Sequence, residues 1–286
     1  MFLPRKVLEE KLLQFLAEDV GQGDVTSDAI VSSECTAEAK VVAKAEGVVA
    51  GAEEAAVLAE TLGLQVETSV ADGEKVEKGG VIITLTGDAR TILAAERTML
   101  NLVSRMSGIA TATRKLTDKI KKAKLSTRIA ATRKTALGLL YFDKKAVFIG
   151  GGDPHRLHLD DMVLIKDNHV VLAGSLEEAV KNAKRNASFS KKIEVEVTKP
   201  AEALKAAELG VDIIMLDNFS SEQVKDAVAL LKKAGFFGKI LLEASGGITA
   251  ENLLDYASAG VDLISLGELT HSVKTLDISL EIVNLC

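Results

Sequence analysis

Polar and charged side chains end nearly every short apolar run in the second half of this sequence. The runs, with their closing residues, are RIAAT, MVLIKDN, KIEVEV, VDIIMLDN, KILLEAS and VDLISLGE. If they are parallel strands of an α/β barrel, their carboxyl ends form one face, and such faces carry the active site. The residues expected there are Thr132, Arg133, Lys134, Lys166, Asp167, Asn168, His169, Glu194, Glu196, Asp217, Asn218, Glu243, Ser245, Gly246, Gly247, Gly267 and Glu268.

Cations are concentrated among these strand ends. Arg133, Lys134 and Lys166 follow apolar runs, and the loop GGGDPHR adds His155 and Arg156. Arginine forks match carboxylates and phosphates, and converging positive charges attract anions strongly. The pattern therefore predicts a pocket for a small molecule that carries several negative charges.

Acids and a glycine turn complete the predicted site. Glu196 and Asp217 end neighbouring runs, and their oxygens suit ribose hydroxyls or Mg²⁺. The turn Ser245-Gly246-Gly247, placed before a helix, offers backbone N–H groups to a phosphate. Each feature alone is common on surfaces that bind nothing, so the prediction depends on their joint placement.

The elements that must position these groups repeat along the chain. The segments AELGVDIIMLD and ASAGVDLISLG lie 50 residues apart and match at six of eleven positions. Each reads as a helix end, a glycine cap and a buried strand, which is typical of βα units in a parallel sheet. The phosphate-binding motifs of doubly wound nucleotide folds are absent from the sequence, so we predict an α/β barrel.

The first part of the chain has a different rhythm. The predicted elements are a helix over 6–18, a loop over GQGDVTSD, strands within 36–50, a helix over 51–62, two strand-like runs around polar turns in 64–87, and a long helix over 91–124 with a bend at Ser107-Gly108. The run ADGEKVEKGGVIITLTG is similar to hairpins of biotinyl and lipoyl carrier domains. It lacks an exposed lysine tip in the carrier context, so we interpret it as a plain β element.

Composition excludes several classes of protein. The 286 residues have 35 basic and 41 acidic side chains, a net charge of −6 that argues against nucleic-acid binding. No apolar run approaches the ~18 residues of a membrane span, and the first residues lack the apolar core of a secretion signal. Two distant cysteines form neither a disulfide framework nor a metal cluster. We therefore expect a cytoplasmic protein.

Several motifs, in order and spacing, resemble the quinolinate phosphoribosyltransferase family over nearly the whole chain. They are AERTMLNLVSRMSGIAT, TRKT, GGGDPHRLHLDDMVLIKDNH, EVEV, IIMLDN, EASGGIT and LTHS with LDISLEI. Two departures exist: Ala136-Leu137 replaces the usual Thr-Pro, and Pro154 precedes His155. A related protein of molybdenum-transport operons also tends to have proline there, but the KDNH motif with Lys166 favours the quinolinate family.

The resemblance implies an architecture. It implies an N-terminal α+β open-faced sandwich domain over 1–109, an α/β barrel over 110–270 and a final segment, 271–286, that returns to the first domain. It also implies a homodimer in which each active site uses residues of both chains, with a higher oligomer left open.

The resemblance also implies a reaction and a role for each site residue. Quinolinate and phosphoribosyl pyrophosphate would give nicotinate mononucleotide, pyrophosphate and CO₂, with Mg²⁺ and no organic cofactor. Arg133, His155, Arg156, Lys166 and, from the partner subunit, Arg97 would hold the two carboxylates. Lys134 would lie between quinolinate and the pyrophosphate, while Glu196 and Asp217 would bind ribose hydroxyls and Mg²⁺. The 5′-phosphate would be held by Ser245, Gly246, Gly247, Gly267 and His271.

Three alternatives remain open at this point. The first is a related pyrophosphorylase, of the molybdenum-operon kind, that acts on another anionic base. A barrel with Lys134 or Lys166 at a strand end could be a Schiff-base aldolase, which borohydride trapping would reveal. A ligand-sensing carrier built on the N-terminal hairpins would leave the charged strand ends without a role.

Overall fold

The computed structural model describes residues 3–285, which form twelve strands and eleven helices within that range. The elements up to the long helix are α1 (Arg5–Val20), α2 (Val25–Ile30), β1 (Thr36–Ala43), β2 (Gly47–Val48), α3 (Ala52–Thr61), β3 (Gln65–Thr68), β4 (Lys75–Val76), β5 (Val81–Asp88) and α4 (Ala89–Lys122). Those that follow are β6 (Arg128–Ala130), α5 (Leu140–Ile149), β7 (Val163–Ile165), α6 (Asp167–Ala173), α7 (Leu176–Asn186), β8 (Ile193–Val197), α8 (Pro200–Glu208), β9 (Ile213–Asp217), α9 (Ser221–Lys233), β10 (Leu241–Ser245), α10 (Leu253–Ser258), β11 (Leu263–Ser265), α11 (Glu268–His271) and β12 (Ile278–Leu285).

These elements fall into two units. Unit 1 contains the described residues up to 114, residues 141–151 and the described residues from 272 onward. Unit 2 contains residues 115–140 and 152–271. The segment 141–151, which was expected in the barrel, thus belongs to unit 1. The domain bounds 1–109 and 110–270 stay a prediction. None of the described helices has the length and apolar character that crossing a membrane demands.

Unit 1 is built on an antiparallel sheet in the order β12-β1-β5-β3, with β2 and β4 as a separate pair. In β1 the small apolar side chains Ala37, Ala39 and Val41 are buried, and they alternate with polar neighbours. This period of two gives the sheet one face for the core. The last strand, β12, pairs antiparallel with β1 from Ile278 opposite Ala43.

One local expectation in unit 1 was incomplete, and one glycine has a role that the sequence did not indicate. The loop expected over GQGDVTSD contains α2, because the Asp24 carboxylate accepts hydrogen bonds from the N–H groups of Thr26 and Ser27 and so caps a short helix. The long helix α4 runs unbroken through Ser107-Gly108. A Cβ on Gly108 would lie 2.3 Å from the carbonyl oxygen of Lys274, so this glycine permits a close approach of the chain.

Helix α5 is held in unit 1 by buried charges. The Lys145 ammonium, with only 4% of its side chain exposed, donates to the carboxylates of Glu54, at 2.7 Å, and Glu53. Burial alone would lower the pKa of Lys145, but the two carboxylates raise it above its usual value. Asp143 on the same helix accepts two hydrogen bonds from Arg105, at 2.7 and 2.8 Å. Helix α5 is therefore buried although its sequence is rich in charged residues.

Unit 2 confirms the α/β class with parallel strands. Its sheet has the order β6-β11-β10-β9-β8-β7, every pairing is parallel, and helices alternate with the strands. Beside the edge strand β6, Asp153 donates its N–H to the Ile129 carbonyl and accepts from the N–H of Ala131, at 2.7 and 2.9 Å. The loop that carries His155 is thereby fixed to the edge of the sheet.

The internal repeat has a structural meaning. Gly210 and Gly260 follow α8 and α10 with positive φ, as expected for helix caps. The aspartates after them act alike. Asp212 accepts a hydrogen bond from the N–H of Ile193 at 2.7 Å, and Asp262 accepts one from the N–H of Leu242 at 2.8 Å. Each carboxylate therefore ties the start of its strand to the start of the neighbouring one.

Candidate active site

A cavity of about 450 Å³ lies at the carboxyl ends of the unit 2 strands. It is lined by Ala131, Thr132, Arg133, Lys134, His155, Arg156, Leu164, Lys166, Glu196, Met215, Asp217, Asn218, Glu243, Ser245, Gly246 and Ser265. Of the strand-end residues expected on this face, Asp167, Asn168, His169, Glu194 and Glu268 lie outside the lining. Of the residues to which the family resemblance assigns a role, the exceptions are Arg97, Gly247, Gly267 and His271. The strand ends thus converge as the barrel pattern predicted.

Three of these exceptions belong to the same unit, and two of them adjoin a lining residue. A Cβ on Gly267 would lie 2.9 Å from Cδ2 of His271 and 3.3 Å from Cδ of Lys134, so the three residues are in contact range. The buried hydroxyl of Thr270 donates to the Lys134 carbonyl at 2.8 Å. Thr270 was missed in the sequence, where a threonine between Leu269 and His271 carries no signal of its own.

Arg97 is located differently. It lies on α4 in unit 1, with 62% of its side chain exposed and its guanidinium 3.8 Å from the Glu96 carboxylate. An exposed pair at this distance contributes little stability. Its guanidinium is therefore available to a further anion.

Lys166 and Glu196 form an ion pair within the pocket. The ammonium keeps 43% of its side chain exposed, while 13% of the glutamate side chain is exposed. The side chain predicted to bind a substrate carboxylate is thus paired with one predicted to bind ribose or metal. Because the pair is open to the cavity, a carboxylate ligand could replace Glu196 as the partner of Lys166.

Asp217 faces the same space. Burial and the nearby Glu196 carboxylate raise its pKa above the usual value. The Asn218 amide donates to Asp217 at 2.6 Å, and Asn218 has a left-handed backbone with φ of 55°. Asparagine is among the residues that tolerate this conformation. Asn218 thus orients a site carboxylate, a role that the sequence did not indicate.

The Ser245-Gly246-Gly247 turn needs its glycines. Gly246 and Gly247 have φ of 88° and 64°, and a Cβ on Gly246 would lie 2.2 Å from Oδ1 of Asn218. The next helix, α10, begins only at Leu253, so the turn does not lead directly into a helix as expected. A phosphate here would be held by the N–H groups of the turn itself.

Beneath these groups lies a buried cluster of His155, Glu194 and Glu243. His155 Nε2 is 3.0 Å from Oε2 of Glu243 and 3.7 Å from Oε2 of Glu194. Both glutamates are at most 1% exposed. Among the described residues, neither oxygen of Glu194 has a hydrogen-bond partner. Burial and the neighbouring Glu243 raise the pKa of Glu194 well above its usual value.

The sequence contained a signal for this cluster. Glu194 and Glu196 are two residues apart on β8, so their side chains leave the same face of the strand. The cluster also acts on the cations above it. Burial and the adjacent Arg133 lower the pKa of Arg156, while Glu194 and Glu243 oppose that shift. The buried carboxylates therefore help two arginines to remain close together in the pocket wall.

Comparisons with known proteins agree with this geometry. A model of the N-terminal domain of quinolinate phosphoribosyl transferase matches residues 24–107, and a model of its C-terminal domain matches residues 109–281. A relative from Methanothermobacter thermautotrophicus, named as a probable nicotinate-nucleotide pyrophosphorylase (carboxylating), is 45% identical and covers 94% of this chain and 96% of its own length.

More distant relatives match over the same extent. The nicotinate-nucleotide pyrophosphorylase (carboxylating) of Homo sapiens is 36% identical, over 99% of this chain and 94% of the human protein. The crystal structure of NadC from Streptococcus pyogenes has a TM-score of 0.91 at 33% identity, covering 100% of this chain and 99% of the other.

Proposed function

Since the chain belongs to the quinolinate phosphoribosyltransferase family, we propose that its pocket transfers a phosphoribosyl group to quinolinate. The donor is phosphoribosyl pyrophosphate, and the products are nicotinate mononucleotide, pyrophosphate and CO₂, as in the de novo synthesis of NAD. The observation that carries the proposal is the meeting of Arg133, Arg156 and Lys166 with Glu196 and Asp217 around one cavity. This combination of charges matches a dicarboxylate and a ribose.

The cations bind the first substrate. Arg133, Arg156 and Lys166 hold the two carboxylates of quinolinate, and Lys166 exchanges Glu196 for a substrate carboxylate as it does so. Lys134 lies between the pyridine ring and the pyrophosphate that leaves. Its ammonium thus neutralises the negative charge that develops on the leaving group.

The acids and the glycine turn bind the second substrate. Glu196 and Asp217 hold the ribose hydroxyls and stabilise the positive charge that develops at the ribose carbon. The 5′-phosphate is held by Ser245, Gly246, Gly247, Gly267 and His271. Glu196 and Asp217 also offer hard oxygen ligands that fit Mg²⁺, which supplies charge neutralisation of the pyrophosphate when bound.

Decarboxylation follows from the product of transfer. Attack of the ring nitrogen on the ribose carbon displaces pyrophosphate and makes the nitrogen cationic. The bond from the ring to the 2-carboxylate then breaks, CO₂ leaves, and the electron pair stays on the ring carbon, which takes a proton. The cationic nitrogen stabilises that electron pair, so the step needs no organic cofactor.

We further propose a cytoplasmic homodimer in which the partner's Arg97 completes each quinolinate site. Its exposure and its weak pairing with Glu96 support this assignment. The proposed domains are 1–109 with 271–286, and 110–270.

A product assay tests the activity. Incubation of the purified chain with Mg²⁺, quinolinate and phosphoribosyl pyrophosphate should release CO₂ and form nicotinate mononucleotide in equal amounts. Nucleotide formed from another anionic base, and not from quinolinate, would contradict the proposal. The aldolase alternative lacks support, because Lys134 is exposed and Lys166 is paired with Glu196, whereas a Schiff-base lysine is desolvated.

A further inference from the structure

The imidazole of His155 is engaged on both sides by groups of its own chain. The backbone N–H of Arg156 lies 2.7 Å from Nδ1, and Nε2 lies 3.0 Å from Oε2 of Glu243. A backbone N–H can only donate, so Nδ1 must present its lone pair. In the neutral ring the proton is then on Nε2, where it is donated to Glu243.

The backbone of His155 is fixed as well. Its φ of 54° is left-handed, which is uncommon for residues other than glycine. Its N–H donates to Oδ1 of Asp153 at 2.8 Å, and Asp153 is itself bonded to the edge of β6. The ring is therefore held at both nitrogens and the backbone at its N–H, and 11% of the side chain is exposed.

We infer that His155 is a positioning residue: Glu243 fixes its ring, and the ring fixes the backbone of Arg156, whose guanidinium binds quinolinate. This deepens the proposed function and rests on it. A direct bond from His155 to a quinolinate carboxylate would require Nε2 to leave Glu243. The incoming carboxylate would also face the carboxylate of Glu243, and like charges at such a distance repel.

A metal ion bound by His155, Glu194 and Glu243 is another interpretation of the same geometry. The ligand atoms of His155, Glu194 and Glu243 lie within 4.8 Å of one another, close enough for one ion. A histidine that binds metal through Nε2 carries its proton on Nδ1 and donates it. Here that proton would point at the N–H of Arg156. The hydrogen bond from Arg156 therefore favours a proton, and not a metal, on Nε2.

Two substitutions of His155 separate a positioning role from a ligand role. In His155→Asn the side-chain oxygen takes the place of Nδ1 and accepts from Arg156, and asparagine tolerates the left-handed backbone. In His155→Gln the amide reaches the place of Nε2 but no acceptor faces Arg156. We expect His155→Gln to raise the quinolinate KM by about 10- to 100-fold, as loss of orienting partners does at metal sites, with kcat and the phosphoribosyl pyrophosphate KM little changed. His155→Asn should lose less. Equal losses, or a smaller loss in His155→Gln, would overturn the inference.

Substitutions of Glu243 test the other end of the chain of contacts. Glu243→Gln keeps an acceptor for Nε2 and almost the same volume, so its quinolinate KM should stay within about threefold of the parent. Glu243→Met has a similar volume and no strong acceptor, so it should resemble His155→Gln. A Glu243→Gln protein as defective as Glu243→Met would show that charge, and not positioning, is what Glu243 supplies.

A direct measurement is made on the parent protein and needs one variant only to assign the signals. The chain has four histidines, and ¹⁵N NMR of the full-length protein reports which nitrogen of each is protonated; loss of one signal set in His155→Asn assigns His155. We expect the Nε2-protonated form in the free protein, unchanged when quinolinate is added. A proton on Nδ1, a doubly protonated ring, or a proton that moves on quinolinate binding would refute the inference. A protein that does not bind quinolinate would end the proposed function, while its free-state tautomer would still decide whether Arg156 and Glu243 hold the ring.

Discussion

Lys145 in unit 1 and Lys166 in unit 2 are both paired with glutamate, yet their surroundings differ. Lys145 has 4% of its side chain exposed and donates to Glu54, which is fully buried. Lys166 has 43% exposed and lines a cavity with two arginines. Lys145 and Glu54 are both buried and hold each other in place, whereas Lys166 faces a cavity and can change partners. Burial of charge alone therefore does not mark a functional site; access to a space where other charges converge does.

The largest expected effect is a difference in activity between two substrates. A pocket built for two carboxylates leaves a cation unpaired when one carboxylate is missing, and sites of this kind reject such analogues by about 10⁴-fold. We expect kcat/KM for nicotinate to be lower than for quinolinate by about that factor, measured by nucleotide formation. Comparable values of kcat/KM for the two bases would mean that the cations of the cavity do not require a second carboxylate on the substrate.

The buried pair of Lys145 and Glu54 should contribute to the free energy of unfolding. Lys145→Met leaves Glu54 buried without its counter-charge, and removal of one partner of a buried pair costs about 3–5 kcal/mol. Urea denaturation should show a loss of this size. The matched control is Lys44→Ala, whose pair with Glu281 is largely exposed and should contribute under about 1 kcal/mol. Similar losses in both variants would remove the distinction between buried and exposed pairs.

Lys166, which faces the cavity, should contribute to the binding of quinolinate. Lys166→Ala should raise the quinolinate KM about tenfold to a hundredfold, since a hydrogen bond to a charged group contributes about 1.5–3 kcal/mol, and its urea midpoint should stay near that of the parent. Lys205→Ala, which breaks an exposed pair with Glu177 in the same unit, serves as the control for charge. Normal kinetics, or a failure to fold, would indicate that Lys166 is a structural partner of Glu196.

The smallest expected signal is a partial recovery of activity when two inactive variants are mixed. Arg97→Ala and Lys134→Ala should each be inactive. If the partner's Arg97 completes the site, a mixed dimer has one intact site, and random exchange restores about a quarter of parental activity. Recovery is measured after exchange is shown by an independent label. Exchange without recovery would confine Arg97 to its own chain.

Much of unit 2 was predictable because its signals are local. The repeat around Gly210 and Gly260 predicted a helix, its glycine cap and the strand that follows. The charged residues at the strand ends predicted the cavity. The roles of Asp212 and Asp262 were not visible, because a carboxylate that accepts from a neighbouring strand looks like any polar residue before a strand. The hydrogen bond between the His155 ring and Glu243 was also not visible, because it joins residues 88 positions apart in the sequence.

Unit 1 was harder to predict where charge is buried. Helix α5 contains Asp143, Lys144 and Lys145, which are all buried. An interpretation that takes charged residues to be exposed to solvent therefore misplaces this helix. Gly108 was interpreted as a bend because a glycine in a helix lowers helix propensity. Its actual role depends on Lys274, more than a hundred residues later, and such contacts leave no periodic trace.

The pairing of β12 with β1 has a consequence for the order of events during synthesis. β1 leaves the ribosome early, but its edge partner arrives only after all six strands of unit 2 have been made. Unit 2 can therefore assemble while the unit 1 sheet still lacks an edge, and an unpaired edge is a template for association with other chains. Translation speed and chaperone capture in that interval should influence how much of the protein reaches its native state.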